Sequence, residues 1–307
     1  MTPPLRCAVM IATHNRLDEL RRTAAVVQAL DPAPDEVLVT ADACTDGTVE
    51  FLRRDWPTAR LFINETGLGS TASRDAMMRA ATCDLVLSLD DDSYPAASDA
   101  LARVRAIFAA RPRLAVASFP QRTNEDPRSL EQTDFGPASF VGTYVNCACA
   151  FRRHVFLDLG GHFAPFWNAY DEPDFAARCV AAGWEVRWEP SVIIRHHYSG
   201  VNRHHQRIHA RQACNELWSV LLRCPAPQLF AVATFRLVRQ LGYAWRQGVA
   251  WVVREPGWWL TFLRGLPRCL ALRRPLPWRR YLAWMKLVHA PIVDEAEWAR
   301  HFGAGAP

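Results

Sequence analysis

The chain has 307 residues, 50% of them hydrophobic and 22% charged, and a formal net charge of +5. That composition suits one large or two small globular domains and excludes a disordered, collagen-like or coiled-coil chain. The nine cysteines form no Cys-x-x-Cys pair and follow no secretory leader, so they are read as reduced thiols of a cytoplasmic protein, and the longest apolar runs fall well short of the ~20 residues of a membrane-spanning helix.

The net charge conceals a division. Residues 1–200 carry 20 Arg against 26 Asp and Glu, a balance of −6, whereas residues 201–307 carry 15 Arg and one Lys against five acids, a balance of +11. Eight of the twelve tryptophans lie in that second part. Two regions facing different partners are expected, 1–200 and 201–307, with about 112–200 forming a looser second half of the first.

Short apolar runs at 7–13, 36–40, 60–63 and 84–89 alternate with helical patterns at about 17–30, 47–55, 70–82 and 97–110. This alternation predicts an α/β fold with a parallel sheet and helices on both faces. Ligands of such sheets bind beyond the carboxyl ends of the strands. The first suspects are therefore Thr13, His14, Asn15 and Arg16, the segment Ala41 to Gly47, the segment Asn64 to Gly67, and Asp90, Asp91 and Asp92. Farther on, strands are expected at 114–118, 141–151 and 192–194, the last ending at His196 and His197, and a helix over 172–183. Beyond 203 the chain reads as helices punctuated by prolines.

The triple aspartate invites two readings. Three carboxylates within a few ångströms repel one another unless a counter-charge is present, and hard oxygen ligands suit Mg²⁺ or Mn²⁺. The alternative is a solvated group of acids favouring the start of the helix that follows. Gly67 and Gly69 are followed by no Gly-Lys-Ser/Thr and form no P-loop.

The stretches CAVMIATHNR, EVLVTADACTDGT, NETGLGSTASRDAMMRAATCDLVLSLDDD, FRRHVFLDLGGHF, YDEPDFAARCVAAGW and PSVIIRHH, taken in that order, resemble the family 2 inverting glycosyltransferases of GT-A fold over about residues 7–200. The resemblance implies a nucleotide-sugar transferase with a Rossmann-like, mostly parallel sheet and a DXD motif. It implies donor contacts from Thr13, His14, Arg16, Arg74, Asp90 and Asp91. It also implies a divalent cation, Mg²⁺ or Mn²⁺, held by Asp92 with Asp90 and His196, and His197 stands beside His196 as an alternative. Ala41 stands where the family commonly has Asp, which passes donor-base recognition to Asp42. The general base falls to Glu172, with Asp171 as its rival because the two stand in inverted order. Trp167 and Tyr170 precede the base and form either an acceptor platform or part of the core. Gln206, Arg207, Ile208 and His209 do not make the Gln-x-x-Arg-Trp signature of processive members, so a single transfer per acceptor is expected. UDP or dTDP is the favoured nucleotide, and a glycan or lipid-linked hydroxyl the acceptor.

Asp174 and Arg178 are spaced to pair on one helix face. Histidines 196, 197, 204, 205 and 209 crowd into fourteen residues, but no Glu completes a His-Glu-x-x-His zinc motif. Interleaved Trp, Phe, Leu and Arg from 230 to 287 suit either amphipathic helices on the anionic inner face of the cytoplasmic membrane or a packing layer with solvated arginines. Nucleic acid is not expected, since the first 200 residues are acidic and no recognised module is present. A non-catalytic module binding a nucleotide sugar or a protein partner and a nucleotidyltransferase of related architecture are the competing functions.

Overall fold

The computed structural model describes residues 4–201 and 205–303; His204 of the histidine cluster lies outside them. Eight strands form the central sheet and three a smaller one. The central sheet contains β1 (Cys7–Thr13), β2 (Glu36–Asp42), β3 (Arg60–Asn64), β4 (Leu85–Asp90), β6 (Leu114–Ser118), β8 (Ser139–Phe140), β9 (Ala148–Arg152) and β10 (Glu185–Trp188), in the order β3-β2-β1-β4-β9-β6-β10-β8. The small sheet joins β5 (Ser93–Pro95), β11 (Ile194–His196) and β7 (Gln121–Thr123).

Strands β3, β2, β1 and β4 are mutually parallel. Near-continuous apolar runs such as Cys7–Thr13 are what a parallel strand covered on both faces requires. The parallel run ends at β9, which pairs antiparallel with both β4 and β6. The apolar segment 141–151 expected as one strand becomes a loop followed by β9, because Gly142, Asn146 and the turn closed by Ala148 N–H on Val145 C=O break the ladder.

Helices α1 (Leu17–Gln28), α2 (Thr48–Asp55) and α4 (Ala100–Ala110) cover one face through Leu20, Val27, Phe51, Leu52, Leu101, Val104 and Phe108. The other face is covered by α3 (Ser70–Ala80), α5 (Arg153–Asp158) and α6 (Asp171–Ala181), with Met77, Met78, Phe156, Phe175 and Val180 in the core. The chain then runs through α7 (His205–Arg223), α8 (Ala226–Gln247), α9 (Val249–Val252), α10 (Glu255–Ala271), α11 (Trp278–Leu287) and α12 (Glu295–Phe302).

The last two helices return to the sheet. Tyr281, Trp284, Leu287, Trp298 and Phe302 share the core that α3, α5 and α6 build on it. Trp298 stacks on Phe140 with ring centroids 4.3 Å apart, and the Trp284 indole donates to the Gly142 carbonyl at 2.8 Å. Helices α7 and α10 form a separate cluster around Trp218, Leu222, Trp258 and Cys269, closed onto Phe166.

Gly265 makes that helix pair possible. A Cβ on it would lie 2.3 Å from Cζ2 of Trp218, whose indole already donates to Phe262 C=O at 3.1 Å. Ala in place of Gly in a helix normally gains about 0.5–1 kcal/mol, but overpacking a fixed ring costs typically about 1–3 kcal/mol. Gly265→Ala is therefore expected to lower Tm in thermal unfolding. A rise would show that the α7–α10 interface is loose.

Candidate active site

A cleft of about 810 Å³ opens where β1, β2 and β4 end. Its lining includes Thr13, His14, Arg16, Asp42, Arg74, Asp90, Asp91, Trp167, Asp171, Glu172 and His196, so the parallel strand ends and the N-terminus of α6 meet in one space. Such a volume suits a ligand of nucleotide-sugar size.

Each aspartate after β4 has a different environment. Asp90 is the most open of the three and accepts from Arg74. Asp91 is buried, taking the Thr13 hydroxyl at 2.8 Å and Arg16 Nη1 at 2.7 Å. Asp92 is buried too, bound by Arg16 Nη2 at 2.5 Å and by Ser199 N–H at 3.3 Å. Burial and the carboxylates of Asp92 and Asp90 push Asp91 up to about 7, against the pull of Arg16 and Thr13. Burial works the same way on Asp92, but His196 and Arg16 overcome it and hold that carboxyl well below the usual range. Two guanidiniums thus face three carboxylates, and negative charge is left over once the pH exceeds about 7 and Asp91 is ionised.

That surplus is the first sign of fit to a cation. The second is His196, whose buried Nε2 faces Asp92 Oδ1 at 3.4 Å. Carboxylate oxygens with one imidazole suit Mg²⁺ or Mn²⁺. Among the described residues no three such side chains already converge on one point, and Arg16 bridges Asp91 and Asp92 instead. His197 points elsewhere, with Nδ1 2.8 Å from Arg22 Nη1. His209 is spent on Glu255 at 2.8 Å and stacks on Tyr243, so it makes no zinc pair with His205.

Asp42 lines the cleft, but its oxygens are occupied. Oδ1 accepts from Asn64 Nδ2 at 2.8 Å and Leu68 N–H at 2.9 Å, and Oδ2 accepts from Gly69 N–H at 2.9 Å. It ties down the loop before α3. The His14 ring is fixed by Nδ1 against Asp42 C=O at 2.5 Å.

Across the cleft stand Asp171 and Glu172 at the start of α6. Asp171 is buried, accepts from Asn146 Nδ2 at 2.9 Å and has His162 Nδ1 at 3.7 Å. Glu172 is half-buried at the cleft wall, and burial with the neighbouring Asp171 charge pushes it up to about 8. Burial opposes the charge of Arg74, yet Asp90, Asp171 and Glu172 together hold its guanidinium above the ordinary value. One arginine is therefore the counter-charge of both acidic groups. Asp174 does not face the cleft; it binds Arg178, Arg223 and Ser219, the first as the i,i+4 spacing predicts.

The loop that delivers α6 is strained. Trp167, Ala169 and Tyr170 have φ of +64°, +110° and +65°, each left-handed conformation costing a non-glycine residue about 1–3 kcal/mol. The clamp is Asn215 of α7, fully buried, whose Nδ2 donates to Phe166 C=O at 2.6 Å and Ala169 C=O at 2.9 Å. Thr71 N–H holds the Trp167 carbonyl at 2.8 Å, and Gly69 is needed beneath it, since a Cβ there would come within 2.4 Å of that oxygen. The Trp167 ring remains half-exposed at the cleft under the Arg211 guanidinium, 4.9 Å from its centroid. Of its two alternatives, acceptor platform or core, Tyr170 takes the core. Its left-handed backbone turns the ring out of the cleft into a buried site near Glu216 and Arg236. Sequence reasoning missed Asn215, which stands beside Glu216 in the mixed stretch Ala213 to Val220 and carries no local signal.

Residues 8–180, more than half of the chain, match the family described as Glycosyl transferase family 2. The α/β class is thus that of the glycosyltransferases, and the chain belongs to this family. The fold is similar to Staphylococcus aureus TarS 1–349 in complex with UDP, with a TM-score of 0.60 and 15% identity over 92% of this chain and 87% of that one. It is similar to the mannosyltransferase PcManGT from Pyrobaculum calidifontis in complex with GDP-Man and Mn²⁺, with a TM-score of 0.56 and 20% identity over 94% and 88%. A third likeness is to GalNAc-T7 with UDP, GalNAc and Mn²⁺, with a TM-score of 0.59 and 14% identity over 74% of this chain; the chain spans about half, 49%, of that one. At these identities the likeness is one of fold, GT-A with a helical C-terminal region. Sequence comparison with curated proteins gives no match.

Asn215→Ala strands two buried carbonyls, a loss of roughly 1–3 kcal/mol. Faster amide hydrogen exchange is expected over Trp167 to Glu172, beyond any change in the rest of the chain. Uniform exchange in the variant would show that other contacts hold the loop.

Proposed function

We propose that the protein moves a sugar from a nucleoside diphosphate sugar to a hydroxyl of a glycan or lipid-linked acceptor, with inversion and one transfer per encounter. Residues 1–200 carry the donor site and the chemistry, and residues 201–307 form a basic helical region that meets an anionic membrane from the cytoplasmic side. The observation that supports this most is that Asp90 and Asp91 share one cleft with Asp171 and Glu172, with Arg74 as the counter-charge felt by both groups. A pure binding module has no use for the second acidic pair.

Asp90, Asp92 and His196 would hold the cation, whose chemistry there is charge neutralisation on a departing diphosphate. Thr13, His14 and Arg16 line the donor end beside them, and Trp167 supplies a flat apolar ring at the acceptor end. Glu172 takes the proton of the acceptor hydroxyl as that oxygen bonds to the anomeric carbon. The bond from the anomeric carbon to the diphosphate oxygen breaks with its electron pair on the leaving group. One base and one displacement invert the configuration. Asp171 is positioned by Asn146 and raises the proton affinity of Glu172. UDP or dTDP is the proposed carrier; TarS and GalNAc-T7 are seen with UDP, and PcManGT with GDP-Man.

A thermal-shift screen of UDP, dTDP, GDP, CDP and ADP, each with Mn²⁺, Mg²⁺ or EDTA, tests the donor half, because ligand binding raises apparent stability by mass action. A metal-dependent rise with one nucleotide is expected and names the donor class. A rise without transfer or hydrolysis moves the reading to a non-catalytic nucleotide-sugar-binding module, no rise with any of them overturns the donor site, and release of pyrophosphate from a nucleoside triphosphate and a sugar phosphate moves the reading to a nucleotidyltransferase.

The base carries its own test. It acts deprotonated, so kcat/KM is expected to climb with pH through about 8 and level above it. Asp171→Asn removes the charge that raises Glu172 and is expected to shift this limb to lower pH with turnover retained. Glu172→Gln should cost about 10²–10⁴ in rate with nucleotide binding kept. A dead Asp171→Asn beside an active Glu172→Gln would make Asp171 the base.

A further inference from the structure

The exposed surface of α8, α9 and α10 is apolar to a degree that a solvated surface does not require. Phe230 is 84% exposed, Trp245 74%, Val249 76% and Val253 72%. Phe235, Val238, Leu260, Leu263 and Leu270 are each more than half exposed. At about 100° per residue, Phe230, Thr234, Trp245, Val238, Ala231 and Phe235 fall on one half of α8, with Arg246 at the edge of that half. The same rule places Trp259, Leu270, Leu263, Pro256, Pro267, Leu260 and Ala271 on a single stripe of α10, bordered by Arg264 and Arg268. Val249 and Val253, in the connection between the two helices, are exposed as well. Exposed apolar surface on this scale marks an interaction site.

Charge decides the occupant. From residue 217 to residue 293 the chain contains one acid, Glu255, against eleven arginines and one lysine. Glu255 is buried, bound by His209 and the Trp258 indole. The surface of α8 to α11 therefore presents no carboxylate at all, while Arg239, Arg246, Arg254, Arg264, Arg268, Arg274 and Arg279 are exposed. Two such faces brought together would place arginines against arginines with no acid to relieve them, which disfavours a second copy as the cover. A nucleic-acid phosphate backbone would leave the phenylalanines, valines and leucines unused. Among the described residues no helix is long and apolar enough to cross a membrane.

We infer that this face lies in the headgroup layer of an anionic bilayer, with the apolar stripes of α8 and α10 among the upper acyl segments and the arginines on lipid phosphates. This deepens the membrane contact of the functional reading by naming the surface that makes it. An amphipathic helix with low net hydrophobicity, tryptophan and a cationic border binds in this way.

The full chain is to be floated with vesicles of phosphatidylcholine and with vesicles rich in phosphatidylglycerol, at low and at high salt. Binding is expected to the anionic vesicles and to weaken with salt. Trp245→Glu together with Val249→Glu is expected to cut it by at least about tenfold. A second pair, Phe235→Glu with Leu263→Glu, guards against a folding defect in the first, and circular dichroism with Tm confirms that each variant folds. Absence of binding to anionic vesicles, or retention of binding in both folded pairs, overturns the inference. So does a dimer in sedimentation that either pair dissolves, since a second copy would then be the cover. The nucleotide thermal shift is read on the same variants: retained with loss of flotation, it separates this inference from the donor site, whose failure would appear in the wild-type screen.

Discussion

The structure turns on the burial of negative charge at the end of β4. Asp91 and Asp92 are nearly inaccessible and Asp90 lies at the rim, so repulsion among them must be met by fixed cations. Arg16 enters from the β1–α1 connection and binds two of them; Arg74 enters from α3 and binds the third. These connections converge because β1 is the central strand of the parallel set, flanked by β2 and β4 in register. The chemistry of the cleft is thus inseparable from strand order. With three carboxylates against two guanidiniums, the site retains a negative potential suited to a cation and, through it, to a diphosphate.

A second constraint comes from the far end of the chain. Helix α6, which opens with Asp171 and Glu172, is held less by its own sequence than by α7. Asp174 is bound by Ser219 and Arg223, and Asn215 clamps the left-handed turn ahead of Asp171. Helix α7 is itself fixed by the Glu216 carboxylate, which takes Arg236, Arg239 and Gln240 of α8. Buried, paired charges of this kind specify one arrangement more than they add stability. A carboxylate that must meet a hydroxyl within a few tenths of an ångström benefits from that specificity.

Much of this was legible in the sequence, for reasons that differ by element. The parallel strands were readable because strands buried on both faces are short apolar runs, and the helices between them because they follow the helical period. Asp90 to Asp92 announced themselves as acids at a strand end. Asp171 and Glu172 became candidates only through resemblance, since an acidic pair opening a helix is ordinary. Asp42 shows the limit of local reading. Nothing nearby in the chain discloses that both its oxygens are taken by the loop at 64–69. Tyr170 shows another, because a residue's direction depends on φ, and a left-handed φ at a tyrosine is set by tertiary contacts with α7. The return of α11 and α12 to the sheet was equally hidden: the partner of Trp298 is Phe140, far away in sequence.

Adjacent residues of α7 serve the two halves of the molecule. Asn215 faces the strained loop under the base, and Glu216 faces the arginines of α8, while Trp218 one turn on carries α10 over Gly265. The helices with the exposed apolar face therefore sit on the same rigid element that sets the geometry of Asp171 and Glu172. A rigid link of this kind fixes the orientation of the cleft relative to that face. On the proposed function, a lipid-anchored acceptor would require such an orientation, because two-dimensional confinement helps only if the cleft meets the acceptor hydroxyl at the height where the bilayer presents it. The strain in residues 167–170 is the cost of that link, and the buried amide of Asn215 is what sustains it.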